Sequence, residues 1–281
     1  MCGAKRTERI EQPVHEVALE QGAGNVIAAR MRGESADSHD AAPAQRRVEV
    51  LGTSGSFDTA TAIDELIAWA TDTFAKEEPV SLRICRSAQS SAELDALTGH
   101  ARVAVRRWIL AAPFHVVRSS KMDASLLERI EIRVPSDLSF YDAYVGMYQR
   151  FWDDQPHMRG VVPVEPVAHL QAMHVCGGLR LVMVDGDFAG VFAAKPRQLH
   201  VIDGWCMGER IIAREFRGQG LGPAVLQLFL RDLPVDGETV LFGRIAPENA
   251  ASLRSAERLG RRCVLAEYAL ELRDHPHQKQ A

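Results

Sequence analysis

Glu215–Leu230 reads EFRGQGLGPAVLQLFL, an arginine followed by three glycines at alternate positions, a proline and an apolar run. Gly218, Gly220 and Gly222 leave the start of a helix without Cβ atoms, so successive backbone N–H groups can converge there. Pro223 suits the first turn, where its missing donor costs no hydrogen bond. The bare amides, the positive end of the helix dipole and the Arg217 guanidinium together offer a seat for a diphosphate.

Other phosphate loops fit less well. A Walker-type loop ends in Gly-Lys-Ser/Thr, whereas Gly222 is followed by Pro223 and Ala224. A dinucleotide fingerprint needs a third glycine where Pro223 stands, and an opening βαβ unit near the start of a domain.

Reading outward, LHVIDGWCMGERIIA (199–213) is a strand leading into the glycines, and LRLVMVDGDFAGVFAA (179–194) is a hairpin with an Asp-Gly turn. Upstream lie two helices, SFYDAYVGMYQRFWDD and PVAHLQAMHV, and a strand LERIEIRV (127–134). Downstream, ETVLFGRIA is a strand, NAASLRSAERLG a helix ending in Gly260, and RRCVLAEYALEL a final strand. The N-terminal part reads β-α-β-α-β: strands at 47–52 and 80–85, a helix between them, a long helix at about 91–110 and a strand at 114–119.

The chain has 281 residues, 46% of them hydrophobic, enough to build a core. Lys and Arg number 33 against 37 Asp and Glu, a net charge of −4, so no general basic field attracts nucleic acid or an anionic membrane. Cys2, Cys85, Cys176, Cys206 and Cys263 show no CxxC spacing, which argues against a disulfide framework or zinc ribbon and fits a reducing cytosol. No apolar run reaches the roughly 18–20 residues of a membrane span, and the expected location is cytoplasmic. His157, His169, His174 and His200 lack metal-ligand spacing, and no metal site is expected.

Arg217-Gly218-Gln219-Gly220-Leu221-Gly222 resembles the R/Q-x-x-G-x-G/A element with which the GCN5-related N-acetyltransferases (GNAT superfamily) hold the pyrophosphate of acetyl-CoA. NAASLRSAERLG, beginning at Asn249, resembles their second signature, an N-x-x-S helix closing in Leu-Gly. The resemblance covers about residues 127–272. It implies an α/β fold with a mixed, mostly antiparallel twisted sheet whose fourth and fifth strands, here 199–213 and 238–246, splay apart around the pantetheine arm. Acetyl-CoA is then the co-substrate. Arg217, Gly218, Gln219, Gly220, Leu221 and Gly222 are expected at its pyrophosphate, the backbone of Ile211, Ile212 and Ala213 along its pantetheine, and Asn249 and Ser252 near the far side of that arm.

The organisation expected is a mobile leader (1–45), an N-terminal α/β domain (46–122), the acetyl-CoA-binding domain (123–273) and a disordered tail (274–281). The N-terminal block is either a degenerate half-copy of the second domain or a plain α/β extension.

Acetyl transfer to an amine needs a base for the amine, a polarised thioester and a proton for the thiolate. The family often draws its base from strand 4, at positions that match Gly208 and Cys206 here, and its acid from a tyrosine at the position of Ala256. None of these can act. Glu209 is the candidate base, although strict alternation points it away from the Gly208 face unless a bulge intervenes. Its other reading is an ion pair with Arg210 or Arg214. Tyr144, Tyr148 and Trp152 recur at fours and read as helix packing. Asp153 and Asp154 are candidates to receive a cationic amine or to form a solvated turn. The expected partner is a small-molecule or peptide amine. A CoA-binding module without transfer, or transfer of another acyl or aminoacyl group, are the alternatives.

Overall fold

In the computed structural model, residues 14–19, 25–32, 47–53, 59–87, 99–119 and 124–272 are described. Their strands are β1 (Val14–Leu19), β2 (Asn25–Arg32), β3 (Arg47–Thr53), β4 (Ser81–Ser87), β5 (Val103–Pro113), β6 (Ile130–Arg133), β7 (Leu179–Val184), β8 (Asp187–Leu199), β9 (Ile202–Ile212), β10 (Val240–Ile245) and β11 (Arg262–Glu271). They form one sheet in the order β1-β2-β3-β4-β11-β5-β10-β9-β8-β7-β6. Only the β3–β4 and β9–β10 pairs are parallel. The result is the mixed, mostly antiparallel α/β sheet that the motifs predict.

Each strand alternates its side chains between two faces, and helices cover both. On one face α4 (Tyr141–Asp154) and α5 (Val167–Val175) bury Tyr144, Met147, Tyr148, Leu170 and Met173 against Leu179, Val191, Ala193 and Ile211. On the other, α6 (Leu221–Asp232) buries Val225, Leu226, Phe229 and Leu230 against Val182, Phe192, Ala194 and Leu241. Beside it α7 (Ala250–Arg258) packs Leu253 and Ala256 on Leu110 and Ile245. Phe192 and Ala194 face α6 while Val191 and Ala193 face α4, the period-2 alternation of a strand covered on both sides. The β7–β8 turn sets Asp185 and Gly186 at φ 53° and 92°, the left-handed pair that a tight hairpin requires.

The N-terminal part carries α1 (Ala60–Thr73), whose N-cap Thr59 accepts a hydrogen bond from the Ala62 amide at 3.2 Å. Its Ile63, Leu66, Ile67 and Ala70 pack with Val48, Leu82, Tyr268 and Leu270. Two short helices, α2 (Phe114–Arg118) and α3 (Ala124–Arg129), precede β6.

Several local expectations differ from this. The long helix expected at about 91–110 is strand β5 over Val103–Pro113, and residues 88–98 lie outside the described residues. β5 hydrogen-bonds to β11 on one edge and β10 on the other, and pairing on both edges overrides the helix propensity of its Ala, Arg and Leu residues. The strand expected at 114–119 is α2, and the one at 127–134 divides into α3 and β6. Within 1–45, expected to be a mobile leader, β1 and β2 pair with each other and β2 pairs with β3. Their short apolar runs, VHEVAL and NVIAARMR, carry that signal beneath a polar average composition. The rest of that segment and the tail expected at 274–281 lie outside the described residues.

Candidate active site

β9 and β10 pair in parallel from Gly204–Val240 to Met207–Gly243, and there the pairing stops. Where it stops, β9 bulges. In the β8–β9 ladder Ala194 faces Met207 and Ala193 faces Glu209, so Gly208 is the extra residue. A bulge bends its strand and increases its twist, which turns β9 away from its neighbour. A Cβ at 208 would lie 2.6 Å from the Met173 sulfur, so any other residue there requires the end of that side chain to shift. The parting strands open a cleft of about 140 Å³ whose walls include Tyr148, Glu165, Glu209, Arg210, Asn249 and Arg261.

The bulge also settles where Glu209 points. With one residue added to the strand, its side chain turns toward α4 and is only 2% exposed. The Tyr148 hydroxyl donates to both carboxylate oxygens at 2.9 and 3.0 Å, the Tyr144 hydroxyl donates to Oε2, and the Arg210 amide donates to Oε1 at 2.6 Å. Tyr144 in turn accepts from the Glu165 amide at 2.8 Å. Burial pushes the Glu209 carboxyl up to about 8, against the lowering pull of the two phenols and the Arg210 amide, with nearby Glu165 adding to the rise. Both phenols are raised in turn, by burial first and then by the Glu209 charge.

The ion pair considered for Glu209 is absent. The Arg210 guanidinium runs to α7, donating to Ser255 Oγ at 3.1 Å and the Ser252 carbonyl at 3.4 Å, and Arg214 pairs with Asp154 at 3.2 Å. Tyr144 and Tyr148 do pack as the spacing of fours implies, but they are also the donors that hold Glu209. The sequence signal for that role was two hydroxyls on the buried face of α4, each needing a buried partner. Arg261 is a further residue that the motifs did not single out. It follows the Leu-Gly that ends α7 and is only 3% exposed.

The glycine segment lies beyond the free part of β9. The Ala213 amide donates to the Ala189 carbonyl of β8 at 2.8 Å, so the Ile212 carbonyl of the same peptide faces the other way, toward the open edge. Arg217 Nε donates to that carbonyl at 2.8 Å, with its guanidinium carbon 5.1 Å from the Phe151 ring centre. Gly218 and Gly220 sit at φ 77° and 74°, and Gly220 caps α6. A Cβ on Gly222, in the first turn of α6, would meet no atom within 4 Å. Nothing inside the chain therefore demands glycine at 222, as expected where a ligand approaches the backbone closely. Leu221 anchors the turn in the core, and Gln219 Nε2 donates to the Glu215 carbonyl at 3.1 Å.

Asn249 caps α7, its side-chain oxygen accepting from the Ser252 amide at 3.1 Å, and both residues line the cleft. Of the histidines without metal-ligand spacing, His169 has Nδ1 3.0 Å from a Glu165 oxygen and His174 has Nε2 2.9 Å from the Pro135 carbonyl. Tyr268 is fully buried in the core. Among the described residues no helix is long and apolar enough to cross a membrane.

No family model and no curated protein matches this chain. Solved structures do. A GCN5-related N-acetyltransferase from Sphaerobacter thermophilus superposes with a TM-score of 0.52 at 12% identity, over 89% of this chain and 81% of that one. One from Kribbella flavida gives 0.52 at 15% identity over 94% and 91%, and an acetyltransferase of the GNAT family from Colwellia psychrerythraea gives 0.52 at 14% over 89% and 81%. At such identities the likeness is one of fold, and the chain has the GNAT-type fold.

Proposed function

We propose that this chain is an N-acyltransferase that moves acetyl from acetyl-CoA to a primary amine of a small metabolite or a peptide terminus. The observation that carries the reading is the bulge at Gly208, which parts β9 from β10 and at the same point turns Glu209 into the cleft. The glycine nose of α6 stands at the end of the same strand, with an undemanded glycine at 222. The residues present suit the coenzyme. The amides of 218–222 and Arg217 would hold the diphosphate, the outer edge of β9 along Ile211–Ala213, where Arg217 Nε donates to the Ile212 carbonyl, would border the pantetheine, and Asn249 and Ser252 would border the arm from α7.

The reaction is a direct displacement. An uncharged amine attacks the thioester carbonyl, the N–C bond forms, and the C–S bond breaks to release a thiolate. Glu209 takes the proton of the ammonium through the Tyr148 hydroxyl, which borders the cleft and touches both carboxylate oxygens. A carboxyl raised to about 8 suits that task, because its basicity is closer to that of an amine than an ordinary carboxylate's. The thiolate acquires its proton from water.

A coenzyme-binding module without turnover is the second reading, favoured by the three donors already engaged on the Glu209 carboxylate. Calorimetric titration with acetyl-CoA, together with thiol release in the presence of a panel of primary amines, separates the two. Glu209→Gln is expected to keep coenzyme affinity and lower turnover by about 100-fold or more. Failure to bind acetyl-CoA, or a variant as fast as the parent, would overturn the reading.

A further inference from the structure

The two faces of the split differ in charge. Glu209 and its tyrosines lie on the α4 face. On the α6 and α7 face lie two guanidinium groups, those of Arg210 and Arg261. Leu241 and Ile245 of β10 pack toward α6 and α7, and Gly243 between them presents the same face. Arg261 lies over Gly243, the residue where pairing with β9 stops, and a Cβ on that glycine would be 2.5 Å from Arg261 Nη2. Its Nε and Nη2 donate to the Leu110 carbonyl at 3.3 and 2.9 Å.

Arg210 reaches the same face from β9, held by Ser255 and Ser252. Neither guanidinium has a carboxylate partner among the described residues, whereas Arg244 on the opposite face is paired with Glu267 at 2.6 Å. Burial lowers the pKa of Arg261 to about 9, with Arg210 the next cause, and burial lowers that of Arg210 to about 10. Arg261 is buried and Arg210 half-buried, and the opposite charge acting on Arg210 is that of Glu209 across the sheet. Holding two such cations close together is costly in the resting protein, and an anion formed beside them would reduce that cost.

Resting on the acyl-transfer reading, we propose that Arg261 and Arg210 stabilise the CoA thiolate as it departs. The diphosphate seat at the nose of α6 is on their face of the sheet, so an arm entering from it brings the sulfur to the split from the same side. The thioester is neutral and the leaving sulfur is anionic. Fixed cations at that point therefore favour the transition state over the ground state, which is the condition for catalysis rather than for tighter binding. This pair supplies what no side chain at Ala256, buried in α7, can supply.

The test uses free CoA bound to the full chain, with thiolate absorbance followed against pH. In the parent protein the bound thiol is expected to titrate roughly one to three units below free CoA, and Arg261→Met and Arg210→Met should each bring it back toward the free value. Gly243→Ala, which displaces the Arg261 guanidinium while keeping its charge, should do the same and guards against misfolding of the arginine variants. In transfer assays Arg261→Met is expected to lower kcat by about 100- to 1,000-fold with little change in acetyl-CoA affinity, and Arg261→Lys to recover part of it. A bound thiol that titrates like free CoA in the parent, or alike in parent and variants, would overturn the inference while leaving acyl transfer standing. A shifted thiol without transfer to any amine would sustain the cationic pair and refute the transferase reading. No binding of CoA would refute both.

Discussion

Tyr148→Phe offers the sharpest test of the electrostatics around Glu209. The substitution removes one hydroxyl that donates to both carboxylate oxygens, at 2.9 and 3.0 Å, and leaves the burial of the site unchanged. Hydrogen bonds to a charged group contribute about 1.5–3 kcal/mol, and one pKa unit corresponds to about 1.4 kcal/mol, so the loss amounts to roughly one to two units. The sign follows from which form is stabilised. The phenol favours the carboxylate, so its removal favours the acid, and the Glu209 pKa rises from about 8 toward roughly 9–10. Carbon-13 NMR of the glutamate carboxyls against pH reads this directly, with Glu209→Gln identifying the resonance. If Glu209 is the base, transfer slows because the hydroxyl that relays the proton is gone, and the rising limb of the residual pH–rate profile moves to higher pH by the same interval. A Glu209 resonance that stays in place or titrates at lower pH would show that burial, and not the phenols, sets its ionisation.

Two further substitutions separate stability from binding. Gly222→Ala adds a methyl to the first turn of α6 where nothing lies within 4 Å; it should stabilise the fold by about 0.5–1 kcal/mol and raise Tm slightly, yet weaken acetyl-CoA binding tenfold or more by calorimetry. Unchanged affinity would remove the backbone of that turn from the diphosphate seat. Arg118→Ala deletes a guanidinium that donates to the carbonyls of Leu230, Leu233 and Val235 at the C-terminal end of α6. Its expected cost is about 2–4 kcal/mol in urea unfolding, and a loss under 1 kcal/mol would show that water replaces those bonds.

The elements around the proposed diphosphate seat were legible because their signals are local. The alternate glycines, Asn249 as a cap and the Asp185-Gly186 turn each announce a backbone conformation that few residues tolerate. Glu209 was legible as a candidate but not in its orientation, since one inserted residue at Gly208 reverses the face of everything after it. β5 was hidden for a different reason. Its residues alternate only weakly, and what makes them a strand is contact with partners more than a hundred positions downstream. The partnerships of Tyr148 with Glu209 and of Arg261 with Gly243 are likewise products of the packed sheet, with no spacing in the sequence to mark them.

The placement of β5 between β10 and β11 binds the history of the two halves together. A gene exchange with its breakpoint near residue 122 would deliver a C-terminal part with an empty slot in its sheet and two raw edges, a hazard for aggregation. The ribosome faces the same constraint. Val103 waits for Leu270 before its ladder can close, so the sheet beside the cleft is completed only after the chain has emerged through Leu270, and such long-range closure makes for slow folding.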